Sequence, residues 1–158
     1  MFEKILVCLD GSRSAEEILP YVTDEALAHR SRVVLLRVVS LPEIIIPINI
    51  PGEPGTPVST EGAMRRTGKE ESEADDYLKR ITRLMKKKGL KVQRVVLPGK
   101  ASETIIYYAQ QNDCKLIAIA THGHGGVRRL VLGSTADFVL HNAPVPLLMV
   151  RPRNKRVK

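Results

Sequence analysis

The sequence predicts a single α/β domain, a doubly wound sheet of five parallel strands with helices on both faces. Three observations carry this expectation. Short apolar runs rich in β-branched residues alternate with stretches of helical period. The runs are continuous rather than alternately polar, as in strands buried on both faces. Polar, glycine-bearing loops follow the first and fourth runs, at the strand ends where open parallel sheets place their ligands. A chain of 158 residues, 43% hydrophobic, is long enough for one core without staples.

The first strand is the run Lys4–Leu9, closed by Asp10-Gly11. Ser14 and Glu17 have capping-box spacing and predict a helix start. Ala15, Ile18, Leu19, Val22 and Ala26 continue at helical intervals, with Pro20 expected to bend the helix near its start. Arg32–Val39 is a second buried strand. Residues 40–68 hold prolines up to Pro57 and four glycines, which predicts an irregular, mobile insertion. From Glu70 the stripe Ala74, Tyr77, Leu78, Ile81, Leu84 and Met85 marks a helix, acidic at its start and basic at its end. Lys91–Leu97 is a third strand and Ser102–Gln111 a shorter helix. Leu116–Ala120 is a fourth strand, Ser134–Asn142 a helix stopped by Pro144, and Val145–Val150 a fifth strand. The domain is expected over residues 1–151, with 152–158 as a basic tail.

The net charge of +8 gathers in the tail and near Lys86–Lys88, and attracts anions in general. Two Phe, four Tyr and no Trp leave little for base stacking, which argues against nucleic acid as the partner. Cys8 and Cys114 adjoin apolar runs without ligand spacing, as expected of reduced, buried thiols in a cytoplasmic protein. No apolar run approaches the roughly 20 residues that cross a bilayer.

The segment Leu116–Thr135, LIAIATHGHGGVRRLVLGST, is the most informative. A strand empties into a glycine loop, and Gly133-Ser134-Thr135 opens a helix. Glycines let backbone approach a phosphate closely, and a helix start offers unpaired N–H donors. Gly123 and Gly133 are ten apart, so both reach one pocket if the chain between them doubles back. A nucleotide crevice is therefore expected at the C-terminal ends of strands one and four, provided those strands are neighbours. Two common signatures are absent. Gly62 and Gly68 are separated by five residues and followed by Lys69-Glu70, which is not a Walker A loop, and Arg128 stands where the dinucleotide fingerprint needs its third glycine.

The remaining pattern is Ala120-x-x-Gly123, nine residues, then Gly133-Ser134. With KILVCLDGS, VVLLRVV, LPGKASETI and VPLLMVRP, it resembles the universal stress protein family, and specifically its ATP-binding branch. That resemblance implies a homodimer through the fifth strand, residues 145–150, and ATP as ligand, with Mg²⁺. It implies that Leu9 and Asp10 meet adenine and ribose, that Val38 packs on the base, and that Ile119 and Ala120 meet adenine and ribose. Gly123, Gly133, Ser134 and Thr135 match the phosphate-binding positions. Ala120 departs from the motif, which has glycine there. Arg128 and Arg129 lie between the key glycines, and Arg129 is counted with the site because a guanidinium there reaches a γ-phosphate. The implied role is a stress-response sensor or switch.

Rival readings remain at several positions. Asp10 suits an Asp-Gly turn, and Ser134 with Asp137 has capping-box spacing. His122 and His124 lack companions at metal-ligand spacing. No nucleophile has an assigned base, and Asp10 is the one acid placed in the crevice, so at most slow ATP hydrolysis is expected. The alternative function is a dimeric interaction module of the same fold that binds no nucleotide, for which Ala120 is the main support.

Overall fold

The computed structural model describes residues 1–41, 60–121 and 133–152, with residues 60–66 described only as part of a helix. The elements run β1 (Lys4–Cys8), α1 (Arg13–Glu16), α2 (Leu19–His29), β2 (Arg32–Val39), α3 (Thr60–Lys87), β3 (Lys91–Pro98), α4 (Ala101–Gln111), β4 (Leu116–Ala120), α5 (Ser134–Asn142) and β5 (Leu147–Val150). The five strands lie in the order β3-β2-β1-β4-β5, and every neighbouring pair is parallel. The chain winds outward from β1 to β3, returns to the other side of β1 as β4, and ends at β5. The order therefore reverses between β1 and β4, where Cys8 stands opposite Ile119, with Leu36 of β2 on its other side.

Strand alternation divides the core into two layers. Ile5, Val7 and Leu9 join Val33, Leu35, Ala118 and Ala120 under α1, α2 and α3, whose contributions include Ala15, Val22, Leu78 and Ile81. Leu6, Cys8, Val34, Leu36, Ile117 and Ile119 face α4 and α5, met by Ile105, Ala109, Ala136 and Val139. Burial on both faces explains why these strands read as continuous apolar runs. Among the described residues no helix is long and apolar enough to cross a membrane.

Beyond one-residue shifts at the ends of β1 and β3 and the start of α4, the structure departs from the sequence reading at four boundaries. The helix expected after the first strand is two helices, because Pro20 has no N–H for the carbonyl four residues back and its ring crowds that carbonyl, which belongs to Glu16. Accordingly α1 ends at Glu16, and Pro20 sits in the first turn of α2. The cap of α1 is Ser12, not Ser14, its Oγ accepting the Ala15 N–H at 3.0 Å. The long helix begins at Thr60 rather than Glu70, so residues 60–68 of the expected irregular segment are helical. Glu61, Ala63, Met64, Arg65 and Arg66 are strong helix formers, and they outweigh about 1 kcal/mol lost at each of Gly62 and Gly68. Residues 42–59 of that segment lie outside the described residues. Finally, β5 starts at Leu147, since Pro146 has no N–H for the ladder.

Candidate functional site

At the reversal between β1 and β4 the strand ends and helix starts enclose a cavity of about 140 Å³. Its wall comes from every element that meets there. Cys8, Leu9 and Asp10 continue β1, Leu36 and Val38 belong to β2, and Ile119 and Ala120 end β4. Ala15 of α1, Ala101 and Ile105 of α4, and Thr135 and Ala136 of α5 complete it. The lining is aliphatic apart from the Cys8 thiol, the Asp10 carboxylate and the Thr135 hydroxyl. A mostly apolar wall with a few polar groups is the usual make-up of a small-molecule pocket.

Local chemistry fixes the loop after β1. Leu9 extends the ladder by donating its N–H to the Leu36 carbonyl at 2.9 Å. Asp10 Oδ1 accepts the Ser12 N–H at 2.8 Å, an Asx turn, while Gly11 adopts φ 90°, a backbone shape that favours glycine. The Asp-Gly turn reading and the site reading of Asp10 thus describe one geometry. Below it, burial pushes the Cys8 thiol well above its ordinary pKa, with nearby Cys114 adding to the shift, so Cys8 is a neutral, unreactive part of the wall.

The loop after β3 sets α4 against the cavity. Gly99 donates to the Val39 carbonyl at 2.9 Å with φ 145°, turning the chain so that Ala101 opens α4. At α5 the N-cap is Gly133, whose carbonyl accepts the Asp137 N–H at 2.9 Å. Ser134 is therefore the first helical residue and not the cap that its spacing with Asp137 suggested. Among the described residues no side chain caps α5, and Thr135 and Ala136 in its opening turn line the cavity.

Of the residues singled out from sequence, Leu9, Asp10, Val38, Ile119, Ala120 and Thr135 meet at the cavity. Gly133 and Ser134 stand at the adjoining helix start. Gly123 and Arg129 lie outside the described residues, as do His122, His124 and Arg128. The sequence reading missed Cys8, Ala15, Leu36, Ala101, Ile105 and Ala136. Period-two alternation offered one signal, since Leu36 shares a face with Val38 and ends beside Cys8. Nothing comparable marked Ala101 or Ile105, whose place depends on how α4 lies across the sheet. Among the described residues no group of three His, Cys, Asp or Glu is arranged to hold a metal ion.

A parallel sheet with helices on both faces and a strand-order reversal between β1 and β4 defines the doubly wound α/β class. A family model described as the Universal stress protein family matches residues 1–151, and the chain belongs to that family. It is 26% identical over 155 residues to Universal stress protein MJ0531 of Methanocaldococcus jannaschii, covering 98% of this chain and 85% of that protein. Universal stress protein Slr1230 of Synechocystis is 26% identical over 148 residues, which is 94% of this chain but 42% of that longer protein. Among solved structures, MJ0577 of the same Methanocaldococcus superposes with a TM-score of 0.80 at 25% identity, over 98% of this chain and 99% of that one. A family protein from Arabidopsis thaliana, solved with AMP bound, gives a TM-score of 0.65 at 13% identity over 98% and 95% of the two chains. A universal stress protein in complex with cAMP gives 0.58 at 16% identity over 94% and 96%. These last two likenesses show the fold.

Proposed function

We propose that this protein binds an adenine nucleotide at the reversal between β1 and β4 and acts as a stress-response sensor or switch. The observation that carries the reading is the convergence of Leu9, Asp10, Val38, Ile119, Ala120 and Thr135 on one cavity. At about 140 Å³ it is smaller than the roughly 300–1,000 Å³ that encloses a whole drug-sized ligand. It suits the flat base, with Val38 and Ile119 against the ring and Leu9 and Ala120 at its edge. Asp10 at the rim accepts hydrogen bonds from ribose hydroxyls. The phosphates extend toward the start of α5, where Gly133, Ser134 and Thr135 offer N–H donors and the helix dipole favours negative charge. Gly123 and Arg129 complete the phosphate site. The AMP and cAMP complexes of proteins with this fold support an adenine ligand. ATP is the nucleotide proposed, and Mg²⁺ enters with its phosphates.

The same reading takes residues 1–151 as the domain, 152–158 as a basic tail, and the cytoplasm as its location. It also includes a homodimer. β5 is an edge strand whose Leu147 and Met149 are only half-buried, so a second copy can pair with it across residues 145–150.

Calorimetric titration of AMP, and of ATP with Mg²⁺, into nucleotide-free protein tests the proposal. Micromolar binding is expected. Ala101→Phe, a half-buried wall position at the start of α4, is expected to abolish it by filling the cavity while leaving the protein folded. Absence of binding in folded, stripped protein would favour the second reading, a dimeric interaction module. Ala120 specifically favours that module, because its methyl group stands where the family's nucleotide motif has glycine.

A further inference from the structure

On the sheet face away from α4 and α5, one aromatic ring ties α3 to the loop that carries Asp10. Two guanidiniums lie over the ring of Tyr77, those of Arg37 from β2 and Arg80 from α3, each 5.3 Å from its centroid. Arg80 Nη2 donates to Glu16 Oε1 at 2.6 Å and so holds the end of α1. The tip of Arg37 packs against Gly11, where an added Cβ would stand 3.1 Å from Cζ and from both terminal nitrogens. Gly11 at φ 90° makes room for that guanidinium because it has no side chain. Its neighbours are Asp10 and Ser12, the two ends of the Asx turn. The ring thus supports the segment from residue 10 to residue 16 at two points, Gly11 through Arg37 and Glu16 through Arg80. The Tyr77 hydroxyl is buried near the Glu16 carboxylate, and burial and then that charge raise the phenol's pKa, while the ring face makes both guanidinium contacts.

We propose that Tyr77 is a positioning residue whose ring holds Arg37 against Gly11 and thereby sets the Asp10–Ser12 loop at the cavity rim. Ligand affinity then depends on a side chain of α3 that does not line the cavity. The inference rests on the nucleotide reading above and adds an affinity determinant on the other side of the sheet. Guanidinium contacts with an aromatic face are individually modest, so the effect expected is about fivefold and not complete loss.

The test compares wild type, Tyr77→Phe, Tyr77→Leu and Arg37→Met by AMP titration and by backbone order parameters of Gly11 and Ser12. Tyr77→Phe keeps the ring and should match wild type in both. Tyr77→Leu keeps an apolar side chain without the aromatic face. It should weaken AMP binding about fivefold and lower the order parameters from about 0.85 toward 0.6. Amide protection of Leu78–Met85 in α3 should be retained. Arg37→Met leaves α3 untouched and should repeat both changes, even if Tyr77→Leu disturbs the helix. Wild-type affinity in Tyr77→Leu and Arg37→Met, or damage in Tyr77→Phe equal to that in Tyr77→Leu, would overturn the proposal. If wild type binds neither AMP nor ATP, the nucleotide reading fails, and the order parameters alone decide whether the ring positions the loop.

Discussion

Gly99→Ala offers a worked test of how the turn after β3 holds the cavity wall. Gly99 has φ 145°, which side-chain-bearing residues rarely adopt, and a Cβ there would stand 2.6 Å from Thr104 Oγ1. The backbone shape costs about 1–3 kcal/mol for a residue other than glycine. Thr104 is stiff at χ1, and moving its hydroxyl off-rotamer adds about 0.5–1.5 kcal/mol. Against this, alanine reduces the freedom of the unfolded chain and recovers about 0.4–1 kcal/mol. The net expectation is a loss of about 2 kcal/mol, or roughly 4–8 °C in Tm for a domain of this size. Urea unfolding of Gly99→Ala, Thr104→Ala and the double variant measures it. The double variant should recover only the part due to the overlap, leaving the cost of the backbone shape. Because Ala101 follows two residues later, ligand affinity should fall in Gly99→Ala even below its unfolding midpoint. A loss under about 0.5 kcal/mol would refute the strain argument, since that is within ordinary surface variation.

Three further outcomes are expected. Leu78→Ala, fully buried between α3 and the sheet, should cost about 2–5 kcal/mol by urea unfolding. Ser12→Ala should cost about 1 kcal/mol by removing the cap on the Ala15 N–H, whereas Ser14→Ala should cost clearly less, which distinguishes the two serines by melting. A hydrogen bond from Arg94 Nε at 2.6 Å, reinforced by the charge of Arg94, holds the Asp75 carboxyl below the usual carboxylate range. A lowered folded-state pKa means that this stabilisation is present above the unfolded value of about 4 and is lost as pH falls through the folded one. The pair is well exposed, so the contribution is small, and an NMR titration of Asp75 in wild type and Arg94→Gln should show its midpoint rising in the variant.

The architecture was legible because burial on two faces writes itself into strands as uninterrupted apolar runs. Arg32–Val39 and Leu116–Ala120 are strands over the residues expected, and Ser134–Asn142 is the expected helix. The candidate site was legible where loop chemistry and strand ends coincide, at Asp10 on the cavity and at the adjoining helix opening with Gly133. What escaped depended on competition between neighbours. Ser12 and Ser14 both suit a cap, and the carbonyl that Pro20 rejects decides which helix boundary exists. Gly62 and Gly68 read as breakers singly, while the helix formers around them prevail together. Ala101 and Ile105 join the cavity only through the angle at which α4 crosses the sheet, which no local pattern encodes.

The helices that cover one side of the sheet, α1 to α3, all precede those that cover the other, α4 and α5. During synthesis this sets an order of exposure. When Pro98 leaves the ribosome, three strands and one helical layer are available, yet Leu6, Cys8, Val34 and Leu36 have no cover on their second side. β1, central in the finished sheet, is still an open edge, because its neighbour β4 begins at Leu116. The nascent chain at that length presents a bare apolar surface beside an unpaired strand, the combination that recruits chaperones or other unfinished chains. A fragment ending at Pro98 should bind hydrophobic dyes and associate, and the completed chain should not. The interval between emergence of the third strand and of the fourth is thus the one in which this protein most needs protection.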